Sequence, residues 1–222
     1  MFKNDKEEQT MGNRAIITTK ANFENGAGLG LYLHWNGGRD SVEGFLKYCQ
    51  IKGFRGFGED DGYAFARLAQ VVGNFFGGGL SVGVNVYDYT EDPWCDNGVY
   101  IVKGWEIIDR KYFEGEEQNE YNLLDFIKGL DESMPLDQQL GFDITKCKMV
   151  KASDLKVGDN VWVRNWDGMY WFVKVEGLGD GMVNGRDVTG IPYVDLCNFS
   201  DPKSNINNYL NDNMYIFAKV CD

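Results

Sequence analysis

The 222-residue chain is expected to be α+β: an antiparallel sheet with helices on one face, followed by a small SH3-like β-barrel. Three observations lead there. Segments that alternate apolar and polar residues recur in both halves. A stretch of period 3.6 sits between strands in the first half, and 28 glycines punctuate the whole. An apolar content of 43%, with 14% aromatic residues, is enough to bury a core and unlike that of a disordered chain.

The first ten residues, "MFKNDKEEQT", read as a polar leader. "NRAIITTKA" and "GLGLYLHW" alternate around the turn "ENGAG" and predict adjacent strands, as in a hairpin. Asn36, Gly37 and Gly38 break the second strand. Asp40 is placed to cap a helix whose face is Val42, Phe45, Leu46 and Cys49, with Glu43 reaching back to the cap. "YAFARLAQVVGNFF" predicts a longer helix with Phe65, Leu68, Ala69, Val72 and Phe75 or Phe76 on one face, ended by Gly77, Gly78 and Gly79. "LSVGVNVYDY" and "GVYIVKGWEIIDR" alternate as strands on either side of the acidic loop "TEDPWCDNG". "EYNLLDFIKGLDESM" predicts a third helix with Leu123, Leu124, Phe126, Ile127 and Leu130 on its apolar face. These elements make a domain over residues 11–135, with its acidic part at the C-terminal end.

Residues 136–147 read as a linker, and residues 148–222 as the small barrel. Within the latter, "DLKVGD" is an entry turn of the SH3-like kind, Asp167 and Gly168 a hairpin turn, and "VTGIPYVDL" and "MYIFAKV" further strands. Trp162, Trp166, Tyr170 and Trp171 crowd one hairpin. In so small a barrel, alternate aromatics are expected in the core, although such a cluster can also stack bases or clasp a cation.

Several function classes are disfavoured. No apolar run approaches the roughly 20 residues that cross a bilayer, and the N-terminus has no signal-peptide core, so a cytoplasmic protein is expected. Five cysteines, none in a CxxC pair, and a single histidine argue against both a zinc site and a disulfide scaffold. Cys95, expected to be exposed beside Asp96, should have a raised thiol pKa and weak nucleophilicity. The glycines of "GNFFGGGLSVG" follow a helix and precede a strand, the reverse of a phosphate-binding loop. "TEDPWCDNG" lacks the ligand spacing of a calcium loop. No cofactor and no metal are expected.

Charge is the strongest functional signal. The net charge is −12, and residues 88–143 carry fifteen acids against Lys103, Arg110, Lys111 and Lys128; the rest of the chain is nearly balanced. Such a segment repels nucleic acid and is attracted to basic surfaces, among which nucleic-acid clefts are the most abundant. Asp88, Glu91, Asp92, Asp96, Glu114, Glu116, Glu117 and Glu120 are the expected partner-binding residues. The alternative is a ligand or enzyme pocket around His34, Asn36, Arg39 and Asp40, with His34 as the base.

"MGNRAIITTK", "YLHWNGGRDSVEGFLKYC", "ARLAQVVGNFFGG" and "DNGVYIVKGWEI" together resemble a family of uncharacterised proteins from phages and mobile elements of Gram-positive bacteria, over about residues 11–113. No catalytic residue carries over from that family. In size and charge the chain is similar in kind to anti-CRISPR and other anti-defence inhibitors. That likeness implies a non-enzymatic inhibitor in a bacterial cytoplasm, with a CRISPR effector nuclease as the partner, bound without direct nucleic-acid or membrane contact.

Overall fold

A computed structural model describes residues 13–79, 81–113, 121–165, 168–196 and 202–220. The expected leader, Trp166 and Asp167 lie outside the described residues. The chain divides into two compact units, Met1–Leu136 and Asp137–Asp222. Both are built on sheets, and the whole is α+β.

The first unit runs β1 (Ala15–Thr19), α1 (Lys20–Glu24), β2 (Ala27–Leu33), α2 (Arg39–Ile51), α3 (Asp61–Phe75), β3 (Val82–Asp88), β4 (Val99–Lys103), β5 (Glu106–Lys111) and α4 (Leu123–Ser133). Its five strands lie in the order β3, β2, β1, β4, β5. As the alternation predicts, β1 and β2 are antiparallel neighbours, with Ile17 opposite Leu31.

The sheet is mixed, however, because β1 and β4 are parallel, Ile16 opposite Val99. Burial explains the departure from the all-antiparallel expectation. Every residue of β1 is buried, as are the first four of β4, so each needs a neighbour on both sides. β3 is largely exposed, Val86 to 66%, and sits at an edge. The acidic loop therefore crosses from that edge, past β2 and β1, to β4 on the far side of the central strand.

α2, α3 and α4 pack on one another. Phe45 meets Phe75, Phe76 and Phe126 with ring centroids 5.3 to 6.5 Å apart. The α3 face is the expected one, with Phe65, Leu68 and Val72 buried and Asp60 capping through the Tyr63 amide. The α2 cap differs: Gly38 is the cap, and Asp40 in the first turn accepts from the amides of Ser41 and Tyr121, at 2.6 Å each. Glu43, expected to reach back to the cap, instead pairs with Arg39 at 2.7 Å. In α4, Leu123 and Leu124 are exposed while Phe126, Ile127 and Leu130 are buried. Among the described residues no helix is long and apolar enough to cross a membrane.

The second unit contains β6 (Cys147–Val150), β7 (Asn160–Arg164), β8 (Tyr170–Leu178), the short pair β9 (Met182–Val183) and β10 (Arg186–Asp187), β11 (Pro192–Val194) and β12 (Ile216–Lys219). Five of these form an antiparallel sheet in the order β11, β8, β7, β12, β6. The core is aliphatic, made of Val161, Val163, Val175, Val194, Leu210 and Ile216.

The expectation of an aromatic core is met in part: Tyr170 is buried and Trp171 is exposed, but the aromatics form a cluster separate from the aliphatic core. Trp162 lies on the face opposite Val161 and Val163, paired with Phe217 and Phe172 across the sheet. Phe142 stacks on Trp162 at 5.0 Å and also meets Tyr170 and Phe217. Period-two alternation forces the separation, since β7 cannot send valines and tryptophan to one side. The segment read as a linker supplies that cover and buries Leu140 and Ile144.

Candidate functional site

The loop between β3 and β4, residues 89–98, is the most elaborately anchored segment of the acidic region. Tyr89 is buried: its amide donates to Gly26 O at 2.7 Å, and its carbonyl accepts from the Tyr112 hydroxyl at 2.6 Å. At the other end, the Asn97 amide donates to Arg14 O, and Asn97 Nδ2 to Asn13 Oδ1 at 2.9 Å. Arg110, itself buried, donates from Nε to Asn97 O at 2.8 Å. Gly98 has φ +67°, and a Cβ there would lie 2.1 Å from Lys111 O, so no other residue fits that corner.

Four of the expected partner-binding acids belong to this loop or its entry, and they separate into two kinds. Asp96 turns inward. Its carboxylate accepts from the Arg14 amide at 3.0 Å, from Nε at 2.8 Å and from the second guanidinium nitrogen at 3.1 Å. Those bonds hold its carboxyl below the usual carboxylate range. Asp88, Glu91 and Asp92 point outward and are exposed. Asp88 accepts from the Thr90 hydroxyl and amide, at 2.6 and 2.9 Å, which lowers its pKa, and Asp92 accepts from the Trp94 amide at 2.8 Å. Glu114, Glu116, Glu117 and Glu120 lie outside the described residues.

Sequence reasoning passed over Trp94. It is 83% exposed, with φ +56°, a conformation rarely adopted by a large side chain. Its neighbour Cys95 is buried, contrary to the expectation of an exposed thiol. Burial pushes that thiol up to about 11; Asp96 and Asp92 add to the effect and Arg14 opposes it. The order Pro93, Trp94, Cys95 explains both: one residue anchors the loop and the other stands away from it. A tryptophan among acids with no apolar neighbours at helical or strand spacing was the available signal.

The second group, His34, Asn36, Arg39 and Asp40, is placed around the β2 to α2 turn. His34 is exposed, its Nδ1 2.9 Å from the Tyr32 hydroxyl in a hydrogen bond and its ring edge-on to Trp35 at 5.0 Å. Asn36 has φ +56° and reaches Ser41 Oγ at 3.5 Å. A Cβ on Gly37 would lie 2.6 Å from Asn13 O, so the glycine lets this turn press against the start of β1. Arg39 lines a cleft of about 280 Å³ with Asp109, Arg110 and Phe113. Asp40 is engaged by the amides of Ser41 and Tyr121. Among the described residues no group of three or more metal-ligating side chains is gathered.

Comparison of the chain with protein-family models, curated proteins and solved structures gives no match. The chemistry of the residues themselves is therefore the basis for a functional reading.

Proposed function

We propose that the protein is a non-enzymatic inhibitor of the anti-defence type, from a phage or mobile element, acting in the cytoplasm of a bacterial host. Its acidic first unit binds a basic nucleic-acid-binding surface of a nuclease, for which a CRISPR effector is our candidate. One observation carries this reading: a loop fixed at both ends by buried bonds holds Asp88, Glu91 and Asp92 around a Trp94 that is 83% exposed. A pre-ordered loop loses little conformational entropy on binding. Tryptophan is enriched among residues that dominate interfaces, and it can stack on an arginine from the partner. The carboxylates supply the attraction that steers a basic surface to it.

We read the second unit as a partly opened SH3-like barrel and as a further contact surface. The strand order first, last, second, third, fourth supports this, as does the 3-10 turn Ile206–Asn208 ahead of the last strand.

The test is competition. The purified chain is added to a purified CRISPR effector nuclease with and without DNA, at low and at high salt. The expected result is a complex that DNA displaces and that salt weakens steeply. A chain that binds nuclease and DNA together, or binds no effector at any salt, overturns the proposal.

A further inference from the structure

β3 ends the first sheet at an edge. Its pairing with β2 is closed at both ends by bonds between directly opposite residues: the His34 amide donates to Ser81 O at 2.9 Å, and the Tyr89 amide to Gly26 O at 2.7 Å. In an antiparallel pair such bonds recur at every second residue, so Gly83, Asn85 and Tyr87 direct their backbone groups to β2. The amides and carbonyls of Val82, Val84, Val86 and Asp88 therefore point away from the sheet. Among the described residues β2 is the only strand that pairs with β3. One outward amide is held locally: that of Val86 donates to Asn85 Oδ1 at 2.8 Å.

Sheet edges are kept from pairing by charge, proline or shortness. β5, the other edge of this sheet, carries Glu106, Asp109, Arg110 and Lys111, and the edges of the second sheet are short, β11 with Pro192 and β6 with Lys148. β3 lacks these guards. From Val82 to Tyr87 it has neither charge nor proline, in a chain of net charge −12, and Val84 and Val86 are exposed. A row of outward donors and acceptors is matched by another strand.

We propose that this strand is β3 of a second copy of the chain, paired antiparallel about a two-fold axis through Asn85. The edge is complementary to its own reversal. Val84 of each copy lies opposite Val86 of the other as a hydrogen-bonded pair, which gathers the four exposed valines on the face that carries Leu31 and Leu33. Tyr87 lies opposite Gly83, which has no side chain to oppose the ring. Asn85 meets its own mate, and its side-chain amide exchanges the bond to the Val86 amide for one across the axis. Asp88 lies opposite Val82, so no carboxylate meets another and the two acidic loops leave at opposite ends of the pair. A contact of two seven-residue strands is smaller than a standard interface, and two acidic chains repel, so the dimer is weak and strengthens with salt. The inference is independent of what the acidic loop binds.

The experiment is sedimentation equilibrium of the full chain at about 0.5 M salt, where the repulsion is screened. The mass is expected to double as the concentration rises to about 0.5 mM. Val84→Pro removes an outward amide and leaves the bonds to β2, and Val86→Lys adds the charge that guards other edges. Each should weaken association about tenfold or more while melting within a few degrees of wild type. Asn85→Cys, on the axis at a non-hydrogen-bonded position, should give a disulfide-linked dimer on mild oxidation. Asp88→Cys, about 20 Å from its mate, should behave as wild type and give none. A chain that stays monomeric, a dimer unmoved by both valine substitutions, or no cross-link through Asn85→Cys overturns the proposal.

Discussion

The two units handle polar and apolar groups in opposite ways. In the first, the central strand β1 is buried throughout, and the acidic loop beside it is fastened by Arg14, Asn97, Arg110 and Tyr112. In the second, the aliphatic core reaches a cleft and half-buried side chains line it. The first unit thus presents an anchored loop, whereas the second presents a concavity. Charge differs as well: acids are in excess in the first unit, whereas the opening in the second is lined by three lysines and three aspartates. Net charge alone hides the distinction that matters within the first unit, between carboxylates that hold the loop and carboxylates that face outward.

The largest effect is expected at Gly98. Gly98→Ala puts a methyl against Lys111 O at a positive φ and should cost more than about 3 kcal/mol, with loss of cooperative folding in the first unit. Retention of the wild-type melting curve would mean that the loop is not anchored there.

A smaller effect compares the two cores by the same substitution. Val99 and Val161 are both fully buried, one in a cluster with Ile16 and Tyr89 over which Phe23, Tyr32, Tyr87 and Tyr112 pack, the other lining the cleft. Val99→Ala should cost about 2 kcal/mol and Val161→Ala about 1, because a void that opens to solvent can hydrate. Urea unfolding of the two variants measures both, and equal costs would contradict an open core.

Smaller again is the contribution of Asp96. Its folded pKa is depressed, so the unfolded chain takes up its proton first as pH falls. Its stabilisation is complete above the unfolded value, about pH 4, and is lost as pH falls through the lower folded value. Asp96→Asn should remove about 1 kcal/mol at neutral pH, discounted for the part-exposed Arg14, and flatten the acid limb of the stability curve. An unchanged acid limb would assign the pH dependence elsewhere.

Local patterns made much of this legible. The period of α3 and the alternation of β1 and β2 are visible because each is set within a dozen residues, and both are found where expected. The parallel pairing of β1 with β4 is not local: Ile16 meets Val99 only after the acidic loop has crossed the sheet. The same distance hid the inward turn of Asp96, whose partner is 82 positions away. The aromatic hairpin was legible only in part: Tyr170 is buried as expected, but composition does not say that Trp162 leaves the valine face of β7 to be covered by Phe142, from the supposed linker. Trp94 was visible as a residue, but its exposure depends on the burial of Cys95 next to it.

The most direct test of the acidic-loop account sets the two kinds of carboxylate against each other. Affinity for a purified CRISPR effector nuclease is measured at low salt for the wild type, for Asp88→Asn with Glu91→Gln and Asp92→Asn, and for Trp94→Ala. Melting temperatures are recorded alongside. Both outward-facing variants are expected to bind about tenfold or more weakly while melting within a few degrees of wild type, a change placed at the interface. Wild-type affinity in both variants, with the nuclease still bound, would contradict it and remove this loop from the interface.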